Sequence, residues 1–226
     1  MLFPVLLLLG FWQLDRAGQK RVVHEQYLAQ IQAAELDLNT FSNLRNDNAD
    51  GLMWRQVKIT GRFDPDFQIM LDNQISNGKT GYFILTPFVA AGGEDRVLIN
   101  RGWLAAPADR KTVPVISTPA EEITIHATVA APPATGLFLG GESIETLVAG
   151  IYRAQRIDIG EISALMRKHL PPYVLRLEPA SPHGFVREWP APGSGEAKHL
   201  GYAFQWFVLA ATLMIIYLVV NLKKTV

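Results

Sequence analysis

The 226-residue chain contains no cysteine, which excludes disulfides, thiolate metal sites and thiol nucleophiles. It also lacks an excess of either charge, because 21 basic residues balance 21 acidic residues. Nucleic-acid-binding proteins normally carry a basic footprint, so the composition predicts no nucleic-acid partner. The five histidines are scattered, and no pair has the spacing of a His-Glu-x-x-His metal site.

Two long apolar segments bracket the chain, and the first covers residues 1–14 with Gln13 as its only strongly polar side chain. A signal peptide is the alternative interpretation, but no basic region precedes this segment and no small-residue cleavage site follows it. We therefore predict a first transmembrane helix over residues 1–14, extending to about residue 20. The missing basic flank is compatible with further cytoplasmic residues before Met1.

The second apolar segment predicts another transmembrane helix, over residues 198–222, because about 20 apolar residues cross a bilayer. The lysines in the tail of residues 223–226 place that tail in the cytoplasm by the positive-inside rule. Two spans then put both termini in the cytoplasm and a domain of residues 15–197 outside it. Basic residues after the first segment argue mildly against this orientation, but large domains translocate largely regardless of charge.

Strand patterns dominate the middle of the chain. Alternating or continuous apolar runs predict seven strands, at residues 54–63, 67–71, 82–89, 96–100, 122–129, 151–157 and 173–178. Asp158 and Glu161 predict the start of a helix between the last two strands, and Pro171 predicts its end. Residues 15–36 have helical spacing and are predicted to continue the first membrane helix or to pack on the domain. The predicted fold class is α+β, with a transmembrane hairpin bracketing a mostly antiparallel β-sheet or partly open barrel and one or two helices.

Two short segments resemble catalytic motifs only in part. Residues 77–80, Asn-Gly-Lys-Thr, end like a phosphate-binding loop, but Asn73 replaces its first glycine and a strand follows. A hairpin turn is the favoured interpretation of this segment. Residues 141–145, Gly-Glu-Ser-Ile-Glu, begin like a nucleophile elbow but lack its final glycine. Neither segment predicts catalysis.

Residues 100–103, Asn-Arg-Gly-Trp, follow a strongly apolar strand and allow two interpretations. In the first, the strand ends in a glycine turn, and Trp103 covers the core or rests at the membrane surface. In the second, Arg101 and Trp103 form a recognition surface for a partner protein. The residues alone favour the first interpretation.

The start of the second apolar segment carries candidate heme-binding residues. His199, Tyr202 and Trp206 lie along one helical face, and a neutral imidazole can ligate heme iron. The small side chains of Ala203 and Ala210 are predicted to leave room for a macrocycle beside Trp206. The alternative is an interfacial histidine within an ordinary aromatic belt, and spacing alone favours that alternative.

The first segment mirrors this arrangement, because Trp12-Gln13 corresponds to Gln205-Trp206 in an antiparallel hairpin. Both pairs would then fall near the outer membrane boundary. A hydrogen bond between Gln13 and Gln205, worth about 1 kcal/mol, is predicted to hold the two helices together.

Three segments resemble the surfeit locus protein 1 family, the assembly factors of cytochrome c oxidase. They are residues 10–16 (Gly-Phe-Trp-Gln-Leu-Asp-Arg), 97–103 (Val-Leu-Ile-Asn-Arg-Gly-Trp) and 199–206 (His-Leu-Gly-Tyr-Ala-Phe-Gln-Trp). The segments occur in the family's order and span almost the full length. The resemblance implies a non-enzymatic role in maturing the oxidase's catalytic subunit, through supply or insertion of heme a.

The resemblance also implies one site residue, and our own inference from the residues supplies the others. Family precedent makes His199 the axial ligand of the heme iron. We expect the rest of the heme a site to comprise Tyr202, Gln205, Trp206, Trp12 and Gln13. Arg101 and Trp103 are expected to bind the partner.

The expected partners are the catalytic subunit of the oxidase and membrane lipid, with heme a synthase as a further candidate. The expected location is the bacterial inner membrane with a periplasmic domain, and the mitochondrial inner membrane is the alternative. A cofactor-free chaperone that stabilises a nascent oxidase subunit is the alternative function. A copper chaperone is disfavoured, because Cu(I) prefers soft sulfur ligands and the chain has no cysteine.

Overall fold

A computed structural model describes residues 2–40, 49, 51–109, 112–134, 140 and 143–223. The chain divides into two compact units, one of Met1–Ala29 with Trp189–Val226 and the other of Gln30–Glu188. The helices and strands are α1 (Leu2–Ile31), β1 (Leu36–Asp37), β2 (Gln56–Phe63), β3 (Gln68–Ser76), β4 (Lys79–Ala90), β5 (Arg96–Ala105), β6 (Ile123–Ala130), β7 (Ile144–Val148), β8 (Ile151–Ala154), α2 (Ile159–Met166), β9 (Val174–Leu177) and α3 (Glu196–Lys223).

The Gln30–Glu188 unit is built on a closed five-stranded barrel, in the order β2-β6-β9-β5-β4. The barrel closes where β4 pairs again with β2, from Gly61 opposite Ala90 to Phe63 opposite Phe88. A Cβ atom on Gly61 would lie 2.1 Å from the Val89 carbonyl oxygen, so glycine permits this close approach. The predicted barrel is therefore closed rather than partly open.

Strand directions within the unit confirm the prediction of a mostly antiparallel sheet. In the barrel, β5 and β9 are parallel, and the other four neighbouring pairs are antiparallel. Beyond β4 the sheet continues through β3, β8 and β7, where β3 and β8 are parallel. β1 extends the sheet on the other side by a short parallel pairing with β2.

The alternation predicted for β2 places one face in the barrel core. Val57, Ile59 and Phe63 are buried, and the Phe63 ring meets Phe88 edge to face at 5.0 Å between ring centroids. The core cluster around them consists of Leu38, Val57, Ile59, Phe63, Phe88, Ala90, Val97, Ile99, Ile125, Ala127, Val129, Tyr173, Leu175 and Leu177.

The α2 helix begins as the sequence predicts and ends earlier. The Asp158 carboxylate accepts a hydrogen bond from the backbone N–H of Glu161, which satisfies one of the open donors of the first turn. The helix ends at Arg167, whose φ of 52° is left-handed, and not at Pro171. Ile162 supplies the buried contact of this helix.

The predicted hairpin turn is confirmed, because Asn77 and Gly78 connect β3 to β4 with positive φ values of 49° and 73°. Of the nucleophile-elbow candidate, Gly141 and Glu142 lie outside the described residues. The short strands β1 and β7 were not predicted, and β5 continues beyond Asn100 to Ala105.

The other unit contains α1, α3 and the segment that precedes α3. Among the described residues, one helix is long and apolar enough to cross a bilayer, Glu196–Leu222. The helix at the second predicted span thus has the length and composition of a membrane span, and the span itself stays a prediction. The first span and the hairpin stay predictions, because the apolar part of α1 is shorter and is followed by Asp15 and Arg16.

The predicted domain boundaries, 15 and 197, lie outside those of the compact unit. α1 runs without interruption to Ile31, so residues after the first apolar segment continue the same helix. The segment before α3 packs on α1, where the Pro192 carbonyl oxygen lies 3.2 Å from His24 Nδ1. Gly193 is needed at this contact, since its Cβ would lie 2.5 Å from the Lys20 carbonyl oxygen.

Candidate functional site

The α1 and α3 helices pack side by side in opposite directions. Gln13 contacts His199, whereas Phe11 meets Phe207 further along α3, with ring centroids 5.3 Å apart. Nearer the start of α1, the two helices share a groove lined by Leu2, Phe3, Leu213, Met214 and Tyr217. Residues nearer the start of α1 thus contact residues further along α3, which is the antiparallel order expected of a hairpin.

Small residues allow this close packing. A Cβ atom on Gly10 would lie 2.6 Å from the ring of Phe207, so the helices meet where α1 has no side chain. Ala203 and Ala210 flank Phe207 at helical spacing and are only 1 % and 2 % exposed. The prediction that these alanines leave room for a macrocycle is therefore wrong, because helix packing fills that space.

His199 and Gln13 form the polar contact of this apolar interface. His199 Nδ1 lies 2.7 Å from Gln13 Oε1, and the two residues come from different helices. Gln13 is only 9 % exposed, and His199 is half-buried. The predicted hydrogen bond between Gln13 and Gln205 is wrong, since Gln13 bonds His199 and Gln205 is exposed.

The remaining predicted heme-site residues do not converge on this pair. Trp12 and Tyr202 are exposed, and Trp206 is half-buried. Two cations missing from the prediction lie over these aromatics: the Arg16 guanidinium is 5.8 Å from the Trp12 ring centroid, and Lys198 Nζ is 6.0 Å from that of Tyr202. The sequence signal was a cation four residues from an aromatic on the same helix, which places both on one face.

A single imidazole is the metal-ligating group at this position. Among the described residues, no group of three or more histidine, cysteine, aspartate or glutamate side chains could hold a metal ion. A single imidazole supplies one ligand, which is the number that heme iron needs from an axial histidine.

The predicted partner-binding segment lies within the barrel unit and forms a β-bulge. Phe83 pairs with Trp103 and Leu85 with Asn100, so Arg101 and its neighbouring glycine oppose a single residue of β4. A bulge bends its strand and redirects the side chains that follow. This bulge turns Arg101 into the protein, where it is 1 % exposed.

The buried guanidinium of Arg101 binds neutral oxygens of neighbouring segments. It donates to the carbonyl oxygens of Ser117 at 2.6 Å and His183 at 2.9 Å, and to Thr118 Oγ1 at 3.1 Å. It also lies 4.8 Å from the ring centroid of Phe63. Burial lowers the pKa of Arg101 to about 10, so the side chain is still protonated at neutral pH.

Trp103 is also an internal residue, at 8 % exposure. Its indole Nε1–H donates to the Gln74 carbonyl oxygen at 3.0 Å, and its backbone N–H donates to the Val186 carbonyl oxygen at 2.7 Å. Arg101 and Trp103 therefore do not form an exposed surface. Their predicted contact with a partner stays a prediction, which their burial does not support.

The SURF1 family model matches residues 1–211. The chain belongs to the SURF1 family. A SURF1-like protein of Rickettsia felis is 30 % identical over 224 residues, covering 96 % of this chain and 92 % of that one. A SURF1-like protein of Rickettsia bellii is 29 % identical over 222 residues, covering 95 % and 86 %. The cytochrome oxidase assembly protein SHY1 of Saccharomyces cerevisiae is 28 % identical over 129 residues, covering 55 % of this chain and 32 % of SHY1.

These comparisons confirm the family predicted from the sequence. All three segments that carry the resemblance fall within the matched range of this SURF1 protein. The structure assigns them different settings, since residues 97–103 lie in the barrel, whereas residues 10–16 and 199–206 belong to the helical unit.

Proposed function

We propose that this SURF1 protein is an integral membrane assembly factor for a heme-copper cytochrome c oxidase. It binds heme a through His199 and aids its delivery to the catalytic subunit. Family membership and the yeast relative, named as a cytochrome oxidase assembly protein, support the assembly role. That role is a binding role and needs no catalysis by this chain.

One observation carries the heme proposal. His199 is half-buried where the apolar helix α3 begins, and only one of its ring nitrogens, Nδ1, is bonded to another described residue. Heme supplies four nitrogen ligands of its own, so one additional imidazole nitrogen is sufficient for axial ligation. The second ring nitrogen, Nε2, is the ligand atom that this arrangement makes available.

The surroundings of His199 fit an amphipathic, anionic macrocycle. Tyr202 and Trp206 follow His199 into the apolar segment and, being exposed and half-buried, leave aromatic surface for the macrocycle outside the packed interface of α1 and α3. Arg16 and Lys198 lie on the polar side of Gln13 and His199 along their helices and can pair with the propionate carboxylates. Except for the buried Gln13, all of these side chains are exposed or half-buried. This accessibility suits a site that must take up heme and release it.

The packing of α1 along α3 supports a membrane hairpin. The apolar half of α1 buries one stripe against α3 and exposes large apolar side chains on its other faces, namely Leu2, Val5, Leu8, Phe11, Trp12 and Leu14. Such a surface is stable in lipid and unfavourable in water. We place both termini in the cytoplasm and the barrel in the periplasm of a bacterial inner membrane, with the mitochondrial inner membrane as the alternative.

The test is purification of the full chain in detergent from cells that make heme a, followed by visible spectroscopy and heme extraction. We expect bound heme a in the wild type and its loss in His199→Ala. His24→Ala is the matched control, since His24 is a histidine of the same unit that contacts Pro192 and not the proposed site. A wild type that never carries heme, or equal heme content in His199→Ala, would refute heme binding.

A cofactor-free chaperone is the second candidate, and the helix packing at Ala203 and Ala210 favours it by filling the predicted macrocycle space. It predicts that the oxidase catalytic subunit co-purifies with His199→Ala as well as with the wild type, and that neither protein contains heme. Heme a synthase, a further candidate partner, would be detected in the same co-purification.

A further inference from the structure

The contact between Gln13 and His199, with the amide oriented as in the structure, indicates which ring nitrogen carries the proton. An amide oxygen only accepts hydrogen bonds, so the 2.7 Å contact of Gln13 Oε1 requires a hydrogen on His199 Nδ1. A neutral imidazole protonated on Nδ1 has its lone pair on Nε2. In the opposite tautomer, two lone pairs would face each other at this distance.

We infer that Gln13 is a positioning residue that selects the Nδ1–H tautomer of His199 and so presents Nε2 to the heme iron. This inference rests on the proposed function and assigns a role to a residue that does not itself touch iron. Partners that accept the second N–H of a ligating histidine fix the tautomer and ring orientation, and their loss typically lowers metal affinity 10–100-fold.

The buried location of Gln13 strengthens the preference of its hydrogen bond for one tautomer of His199. Gln13 is buried in the α1–α3 interface, one turn from Gly10 and from Ala17, where water cannot readily replace its oxygen. A hydrogen bond is stronger in such a low-dielectric setting than in water. The bond also ties the ring to the neighbouring helix, so rotation of the imidazole requires breaking the contact.

The opposite orientation of the amide gives the alternative outcome. If the amide nitrogen of Gln13 donated to Nδ1, then Nε2 would carry the proton and could not ligate iron. Gln13→Glu distinguishes the two amide orientations, because a carboxylate can only accept a hydrogen bond from Nδ1–H of His199. Gln13→Leu removes the polar contact and keeps an apolar side chain of similar size in the interface.

The first experiment needs no heme. ¹⁵N-histidine-labelled full-length protein in detergent is studied by NMR, with the His199 signal identified by its disappearance in His199→Ala. We expect the Nδ1–H tautomer in the wild type and in Gln13→Glu, and a shift toward Nε2–H in Gln13→Leu. Gln26→Leu, at an exposed glutamine of the same helix, should leave the signal unchanged. The Nε2–H tautomer in the wild type, or an unchanged signal in Gln13→Leu, overturns the inference.

The second experiment measures binding of added heme a by visible titration. We expect affinity to fall about 10–100-fold in Gln13→Leu and to be retained in Gln13→Glu. Equal affinity in Gln13→Leu and the wild type, with loss in His199→Ala, overturns the positioning role and leaves the proposed function intact. Retention of heme by His199→Ala instead refutes the proposed function, whatever the tautomer.

Discussion

Substitution of Arg101 tests whether the shape of its guanidinium or only its charge holds the barrel unit together. The guanidinium links Ser117 and His183 through their carbonyl oxygens, and it stacks on Phe63. Lysine keeps the charge but is a point donor without a planar fork. Methionine keeps the approximate length and loses both charge and donors. We expect Arg101→Lys to destabilise the barrel more than Arg101→Met.

The expected magnitudes follow from the two carbonyls and the buried charge. A buried carbonyl that loses its donor costs about 1–3 kcal/mol. Lysine retains the cost of burying a charge and reaches one carbonyl, so Arg101→Lys should lose about 3 kcal/mol with the ring contact included. Methionine keeps a contact with the Phe63 ring through its sulfur and leaves both carbonyls unpaired, at about 4 kcal/mol. Because methionine is uncharged, it avoids the cost of burying the guanidinium. That cost is about 3 kcal/mol, the equivalent of the fall in the Arg101 pKa from 12.5 to about 10, so the net loss is about 1 kcal/mol.

Thermal unfolding of the full chain in detergent, followed by near-ultraviolet circular dichroism, checks these values. A loss of 1 kcal/mol lowers Tm by about 2–4 °C in a domain of this size, so we expect a fall of about 6–12 °C for Arg101→Lys and about 2–4 °C for Arg101→Met. Arg62→Lys, at an exposed arginine of β2, serves as the control and should not change Tm. Wild-type stability in Arg101→Lys together with a large loss in Arg101→Met would refute the reasoning, because charge alone would then suffice.

Three further predictions use matched pairs or a pH series. Gly102→Ala should lose about 3 kcal/mol, since φ is 107° and the new Cβ would lie 2.6 Å from a backbone oxygen. Gly78→Ala, with φ of 73° and no atom within 4 Å, should lose only about 1 kcal/mol; equal losses in urea unfolding would contradict the steric argument. Gly10→Ala should weaken α1–α3 packing and raise proteolysis of the helical unit, whereas Gly18→Ala, with no atom within 4 Å, should not. Burial raises the pKa of Tyr173 from 10.0 to about 12. The unfolded phenol therefore ionises first, and the free energy of unfolding should fall by up to about 1.4 kcal/mol per unit between pH 10 and 12. Tyr173→Phe should flatten this decline in urea titrations, and an unchanged slope would contradict it.

Strand alternation was enough to predict most of the barrel unit. In β2, apolar residues at every second position predicted one buried face, and Val57 and Ile59 occupy it. The Asn77-Gly78 turn was predictable because both residues tolerate positive φ. β1 was not predictable, since two residues carry no period, and it exists only through its pairing with β2.

Closure of the barrel and burial of Arg101 depend on contacts between distant segments. Gly61 reads as an ordinary position in an alternating strand, and only its approach to Val89 shows why it must be glycine. Arginine is rarely buried, so the sequence favoured a turn or an exposed surface for residues 100–103. The bulge that turns Arg101 inward is set by the register of β4 against β5, which the local pattern does not encode.

In the helical unit too, the local sequence identified the unusual residues but not which of them are in contact. Spacing identified His199 and Gln13 as unusual polar residues in apolar segments, but it assigned Gln13 to Gln205. The relative rotation of two helices decides such a pairing, and small residues set that rotation. Gly10 and Ala203 bring the helices together on a face where His199, and not Gln205, meets Gln13.

Arg101 and His199 both lie in segments that carry the family resemblance, but they differ in whether an atom stays available for a ligand. Arg101 donates to oxygens of four residues and is enclosed, so its hydrogen bonds stabilise the fold. His199 has one nitrogen bonded by Gln13 and retains another for a ligand. Substitutions at Arg101 should lower heme content only in proportion to the loss of folded protein. His199→Ala should abolish heme binding at unchanged Tm of the barrel unit, because His199 belongs to the helical unit. Heme loss and unfolding that track each other in both variants would contradict this separation.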